Sequence, residues 1–178
     1  MSEIKLFNKW PFEEIEVTDL GLKPYINLKP LISPKTGGKY SNQKFHKSKM
    51  NIVERLINKM MVSGHKGKKH VVSSGRNTGK SQTIINIVKD VFEDLEKRAK
   101  ENPIKILVLA LENASLREEI TSYQMGGVIV RKAVITSPQR RLDSALTIIT
   151  RSAYKNDASK SEAIKEKERI EREASVAR

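Results

Sequence analysis

Of the residue groupings in this chain that could do chemistry, the first is Gly75-Arg76-Asn77-Thr78-Gly79-Lys80-Ser81. A phosphate-cradling loop reads GxxxxGK[ST], because a four-residue spacer lets successive backbone N–H groups wrap a β-phosphate before the lysine reaches it. Here the spacer is Arg76-Asn77-Thr78, one residue short, and the nest is not expected to close. Only Val71 and Val72 precede Ser73-Ser74, where a buried parallel strand should deliver such a loop, and no apolar run ending in aspartate follows downstream. A nucleotide-binding enzyme using residues 75–81 is therefore the lesser of two readings. Lys66, Lys68, Lys69, Arg76 and Lys80 suit phosphates fixed in a polymer. A second grouping, Glu118-Glu119, fails as an acid–base pair, since neighbours on a strand face opposite ways. His65 and His70 lack partners for a zinc site and the chain has no cysteine, so no metal, cofactor or disulfide is expected.

The distribution of charge favours the polymer. The 178 residues carry a net charge of +13, and 38% are hydrophobic, below the roughly 45–50% of ordinary globular chains. Between residues 20 and 89 stand fifteen Lys and Arg and a single acid, Glu54, while the remainder is close to balanced. One dense cationic block is what an electrostatic footprint for nucleic acid looks like; a merely solvated surface would mix signs. No signal peptide and no apolar run of membrane-spanning length are visible, so a soluble intracellular chain is expected.

The elements that must position these groups can be read from periodicity. Residues 1–48 read as an extended arm. Trp10-Pro11-Phe12 is too little aromatic surface for a core but enough to pin the segment against something. From Lys23 to Ser48, Pro24, Pro30, Pro34 and Gly37-Gly38 break any periodic element, and lysines alternate with Tyr25, Tyr40 and Phe45, a mixture that can track phosphates and stack on bases. A helix is predicted over 49–62, with Ile52, Val53, Leu56, Ile57, Met60 and Met61 on one face, Arg55 and Lys59 on another, and Ser48 as its cap. A second runs over 80–100, capped by Thr78 or Ser81, with an inner stripe of Ile84, Val88, Val91, Leu95 and Ala99 and with Ile85 and Phe92 beside it. Asn102-Pro103 opens a short apolar third helix, PIKILVLALENA, the expected centre of the core.

Then the period changes. Segments 116–124 and 128–136 flank Met125-Gly126-Gly127 and read as a β-hairpin. A lone ribbon is marginal in water unless something supports it, and Arg117, Tyr123, Arg131 and Lys132 fit RNA as that support. Ser137-Pro138 starts a fourth helix to 154, with Leu142, Leu146 and Ile149 inward and with Arg140 and Arg141 in its first turn, where cations are disfavoured unless an anion is present. Residues 156–178 form a charged C-terminal helix with pairs such as Glu168 and Arg172. The predicted fold is mainly α: a helical domain over 49–155 with a hairpin at 116–136, between the arm and the C-terminal helix.

The segments KSKMNIVERLINKMM, GHKGKKH with SSGRNTGK, ENPIKILVLALENA, the hairpin with its Gly126-Gly127 tip and SPQRRLDSAL together resemble the small-subunit ribosomal protein seven family, in its archaeal and eukaryotic branch. The likeness runs in order through nearly the whole chain, from KLFNKWPFEEIEV to AIKEKERIEREASVAR. It implies a cytoplasmic, non-enzymatic constituent of the ribosome. Such a protein binds the 3′ major domain of small-subunit rRNA, helps nucleate assembly of the subunit head beside neighbouring small-subunit proteins, and holds its hairpin near the exit-site tRNA and the mRNA path. Carried over by residue, it implies RNA contact by Lys66, Lys68, Lys69, Arg76 and Lys80, by Arg117, Arg131 and Lys132, and by Arg140 and Arg141.

Two departures stand out. The family usually has a further amphipathic helix before the final one, whereas Tyr154-Lys155 here leads straight to Asn156-Asp157, so the apolar face of the fourth helix should lack cover on one flank. In the last helix Glu166 interrupts Lys165 and Lys167, where the pattern is basic.

Overall fold

The computed structural model describes residues 4–13, 15–63, 65–66, 69–70, 75–154 and 162–177. Helix α2 (Ile52–Met60) stands within the span predicted as 49–62, and a four-residue helix α1 (His46–Lys49) precedes it at the end of the stretch expected to be extended. The arm causes the break between them. It crosses the chain at Met50-Asn51, where the Ile52 amide donates to the Asn27 carbonyl at 3.1 Å and Asn51 Nδ2 donates to the Lys29 carbonyl at 3.1 Å. Asn51, extended and buried, therefore caps α2 by accepting the Val53 N–H at 2.9 Å, and Ser48 does not. Arg55 also departs from expectation. It is 4% exposed, donating to the Tyr25 carbonyl at 3.2 Å and to Asp143 Oδ1 at 3.0 Å.

A minimal antiparallel pair, β1 (His65–Lys66) and β2 (Lys69–His70), follows α2. Helix α3 (Ser81–Ala99) then buries Ile84, Ile85, Val88 and Phe92. Its inner face is rotated from the middle of the predicted stripe to the flank that carries Ile85 and Phe92, and Val91 is 46% exposed. The arm is again the reason: Trp10 sets its ring edge-on to Phe92 at 5.6 Å and donates through Nε1 to Glu96 at 3.0 Å, drawing that side of α3 inward. Neither Thr78 nor Ser81 caps α3; Lys80 occupies the N-cap position with no side-chain hydrogen bond.

Helix α4 (Pro103–Ala114) starts as predicted, with Asn102 Oδ1 accepting the Ile104 N–H at 3.0 Å and Pro103 in the first turn. Its Ile104, Leu107, Val108 and Leu111 meet residues of α2, α3, the arm and helix α5 (Pro138–Tyr154) in one core. Leu6, Trp10, Phe12, Val17, Leu22 and Ile26 belong to that core, so the N-terminal stretch supplies more apolar surface than its composition suggested. Strands β3 (Glu118–Met125) and β4 (Val128–Ile135) pair antiparallel from Glu118↔Ile135 to Met125↔Val128. Gly126 and Gly127 have φ of 57° and 84°, and a two-residue turn with both φ positive matches the twist of the strands.

Helix α6 (Glu162–Val176) lies against the base of the hairpin, α4 and α5. Lys167 Nζ donates to the Asn113 carbonyl at 2.9 Å, Glu171 Oε1 accepts the Arg117 N–H at 2.9 Å, and Ala174 is fully buried. Ion pairs on its surface join Arg169 to Glu166 and Glu173. The Lys155–Asn156 junction lies outside the described residues. On α5, Leu142, Ala145 and Leu146 are fully buried, while Ile149 and Ala153 border an apolar groove of about 510 Å³ shared with Leu56, Ile87, Val91 and Ala110. No helix among the described residues is long and apolar enough to cross a membrane.

Candidate RNA interface

The hairpin projects cations on both of its faces. Arg131 pairs in register with Ser122 and Lys132 with Thr121, so the two basic side chains alternate, and both are exposed. Towards the tip Tyr123 is 46% exposed, Met125 68%, Val128 65% and Ile129 69%. Among the described residues these side chains meet neither core nor covering helix, and they carry aromatic and apolar surface of the kind against which an unstacked base packs.

The base of the hairpin is rigidly held. Thr136 donates its N–H to the Arg117 carbonyl at 3.0 Å. Arg140, opening α5, donates through Nε and Nη2 to the two oxygens of Glu119 at 2.5 and 2.7 Å. That hydrogen-bonded charge holds the Glu119 carboxyl below its usual range and raises the arginine. Arg141 is more deeply committed. Its guanidinium donates to the Leu116 carbonyl at 3.1 Å, to Asp19 Oδ2 at 2.6 Å and to Ser115 Oγ at 3.3 Å, and its side chain is 14% exposed. Burial pushes the Asp19 carboxyl up, but the hydrogen bond and charge of Arg141, with the Gly21 N–H, carry it below its ordinary value. The cations in the first turn of α5 thus have carboxylates for partners. Arg140 remains 62% exposed and keeps an outer edge for a phosphate, whereas Arg141 is turned inward.

The glycine-rich loop takes two successive turns. Thr78 donates its N–H to the Gly75 carbonyl and Lys80 to that of Asn77, both at 3.1 Å, with Gly75 and Gly79 at φ 68° and 76°. Two amides that a phosphate nest would aim at the ligand are therefore spent internally, while Arg76 and Lys80 are exposed to solvent at the uncapped start of α3. Lys66 and Lys69 are paired in register across β1 and β2, and Lys68 lies outside the described residues. No group of three or more metal-ligating side chains occurs among the described residues.

A second charged cleft was not legible from the chain. A cleft of about 590 Å³ between α2, α5 and α6 brings Lys59, Arg140 and Arg151 together with the carboxylates of Glu119, Asp143 and Glu166 and with Phe45, which is 67% exposed. These residues come from distant parts of the sequence, and Arg151 gave no local signal. Asp143 lies within the cleft. Burial raises its carboxyl, but hydrogen bonds from Lys47 at 2.6 Å and Arg55 bring it below its usual value.

Comparison with known proteins gives the same reading of the whole chain. The family model described as "Ribosomal protein S7p/S5e" matches residues 22–161. The chain is 44% identical over 164 residues to the "Small ribosomal subunit protein uS7" of Nanoarchaeum equitans, covering 92% of this chain and 83% of that one. It is 46% identical over 166 residues to the uS7 of Methanococcus aeolicus, covering 91% and 82%. With the uS7 of Methanococcus maripaludis strain S2 the identity is 41% over 198 residues, taking in 99% of this chain and all of the other. That last alignment is longer than the 178 residues available, so positions of the relative lack a counterpart within this chain. With the helical body, the anchored hairpin and the basic loop all in the matched span, the chain belongs to the ribosomal protein S7p/S5e family.

Proposed function

We propose that this protein is a structural constituent of the small ribosomal subunit in the cytoplasm, binding the 3′ major domain of small-subunit rRNA and helping to nucleate the head. Neighbouring small-subunit proteins are its protein partners, and its hairpin stands near the exit-site tRNA and the mRNA path. Family membership supports the assignment. The observation that carries the RNA contact is the hairpin, whose cations and apolar tip are exposed on both faces while its base is fastened by Arg140, Arg141 and α6. Phosphate contacts are assigned to Lys66, Lys68, Lys69, Arg76 and Lys80, and to Arg117, Arg131, Lys132 and the exposed edge of Arg140. Arg141 serves as the internal brace that keeps its neighbours in place.

Salt dependence tests this. If about six phosphates are neutralised, log K for the rRNA fragment should fall with log[salt] at a slope of roughly −4 to −5. Replacing Lys66, Lys68 and Lys69 by Ala should flatten the slope by about one unit for each phosphate left without its lysine. An unchanged slope would move the footprint elsewhere on the molecule.

A further inference from the structure

The groove of about 510 Å³ takes one side from Ile87 and Val91 of α3, another from Ile106 and Ala110 of α4 and a third from Ile149 and Ala153 of α5. None of the described residues that line it is charged. Ile87, Val91 and the neighbouring Leu109 of α4 are exposed, so among the described residues this apolar patch faces solvent. Contiguous apolar surface of that kind marks a place where another molecule sits. Its chemistry narrows the choice. The Thr150 hydroxyl is spent on the Leu146 carbonyl at 2.9 Å, and with no cation in the lining there is nothing to hold a phosphate. Along α3 the lining side chains recur at Ile84, Ile87, Val91 and Leu95, a stripe roughly 16 Å long at 1.5 Å per residue. Side chains three and four apart form the ridges between which a second helix seats its own.

We propose that this groove is a docking surface for an amphipathic helix of a neighbouring small-subunit protein, about three turns long, with lysine or arginine on the flank that meets Asp90 and Asp94. The inference rests on the ribosomal reading above and adds to it a side of the molecule that faces protein. Asp90 and Asp94 stand one turn on from Ile87 and Val91, and both are exposed; Asp94 has only the surface lysine Lys97 near it, at 3.8 Å, and Arg98 follows a turn later at the end of the stripe. In a chain of net charge +13, that acidic edge turns RNA away and attracts a basic partner. A second copy of the chain, packed about a two-fold axis, would set the same acids against themselves. The alignment with the Methanococcus maripaludis relative supports a helix as the cover. It runs over 198 positions against the 178 residues here and takes in 99% of this chain, so at least twenty positions of that protein fall within the span of this one and have no counterpart in it. Three helical turns need about eleven residues. The relative carries enough additional chain to supply such a cover itself, whereas here it comes from outside.

The experiment uses small subunits assembled in cells around the full chain, with photoreactive p-benzoylphenylalanine in place of Leu109 at the edge of the groove. Irradiation should join this position to one other protein. The joined peptide, read by mass spectrometry, should carry apolar residues at three- and four-residue spacing and lysine or arginine on their flank. Val91→Glu sets an unpaired carboxylate into the contact and should lower the crosslink at least tenfold. Val91 is already exposed, so the purified variant should melt as the wild type does and bind the rRNA fragment equally well. Asp90→Lys combined with Asp94→Lys alters only exposed side chains; it should lower the crosslink too, and it decides the matter should Val91→Glu prove unstable. A crosslink to rRNA, to a second copy, to another part of the same chain or to a segment without that pattern would overturn the proposal. So would the absence of any crosslink, or one that survives both sets of changes. Failure of the wild-type protein to sediment with small subunits would overturn instead the ribosomal reading on which the docking rests.

Discussion

Leu6, Trp10, Phe12, Val17, Leu22 and Ile26 lie on a stretch whose regular structure is the 3₁₀ turn Lys23–Tyr25, yet all six are buried among the helices. The hairpin pairs eight positions in perfect register and buries none of its residues. Backbone order and burial are therefore separate properties here. The N-terminal segment is held by where its side chains and polar atoms go: Glu112 Oε1 accepts the N–H groups of Thr18 and Asp19 at 2.7 and 2.9 Å, and Asn102 Nδ2 donates to the Pro11 carbonyl at 2.8 Å. The hairpin satisfies its own backbone and leaves its side chains for an external surface. A ribbon fastened only at its base is suited to reach into RNA, and a strap built into the core fixes α2, α3 and α5 beneath it.

The contrast is broken most directly at Trp10. Trp10→Ala removes a ring that is 2% exposed and its hydrogen bond to Glu96, and should cost about 3–5 kcal/mol in denaturant unfolding. A loss below about 1 kcal/mol would mean that the strap is ornamental and that the helices hold themselves together.

The next effect in size concerns the brace. Arg141→Ala takes from the Asp19 carboxylate its charged partner, leaving it the Gly21 N–H, and should cost about 1.5–3 kcal/mol at neutral pH. Because the folded state lowers the Asp19 pKa from 3.8, this stability is present above that value and is lost as pH falls through the lower folded value. The wild type should therefore lose its advantage over Arg141→Ala in acid; a difference constant from about pH 7 to about pH 2 would assign the cost to packing alone.

Excising residues 119–134 and joining Glu118 to Ile135, which face each other in the register, through two glycines should change stability by no more than about 1 kcal/mol, since the ion pair removed with Glu119 is on the surface. Cooperative melting should persist while affinity for the rRNA fragment falls. A non-cooperative melt would place the hairpin in the core after all. The smallest expected effect is none: labelled ATP or GTP should not bind at micromolar concentration. Binding that Lys80→Ala abolished would restore the nucleotide reading of residues 75–81.

Much of the body was legible along the chain. Asn102-Pro103 and the apolar run after it gave α4 with its cap, and Gly126-Gly127 between β-branched segments gave the hairpin with its turn, because both signals act within a few residues. Three departures trace to one cause. Asn51 replaced Ser48 as cap, Arg55 went inside and the face of α3 turned towards Phe92, each where the arm crosses a helix. Helical periodicity locates an apolar face to within about a third of a turn, and whichever neighbour arrives from far along the chain settles the rest. The expectation of an undercovered α5 does not hold: Leu142, Ala145, Leu146 and Ile148 are buried and Ile149 packs against the core, because α2, α4 and α6 close over the helix.

The same division holds at the candidate interface. By itself the sequence determined where the cations are dense, that the loop at 75–81 is one residue short of the phosphate-cradling spacing and which two strands form a ribbon, since charge, spacing and turn geometry are local. Tertiary structure alone decided which cations are exposed and which are tied to carboxylates. It paired Arg141 with Asp19 across the molecule, gathered Arg151, Lys59 and Phe45 around one cleft, and folded the arm over Glu54 so that one carboxylate oxygen lacks a donor. Ion pairing and desolvation act at a few ångströms in space, whatever the separation in sequence, so no count of charges along the chain could have shown them.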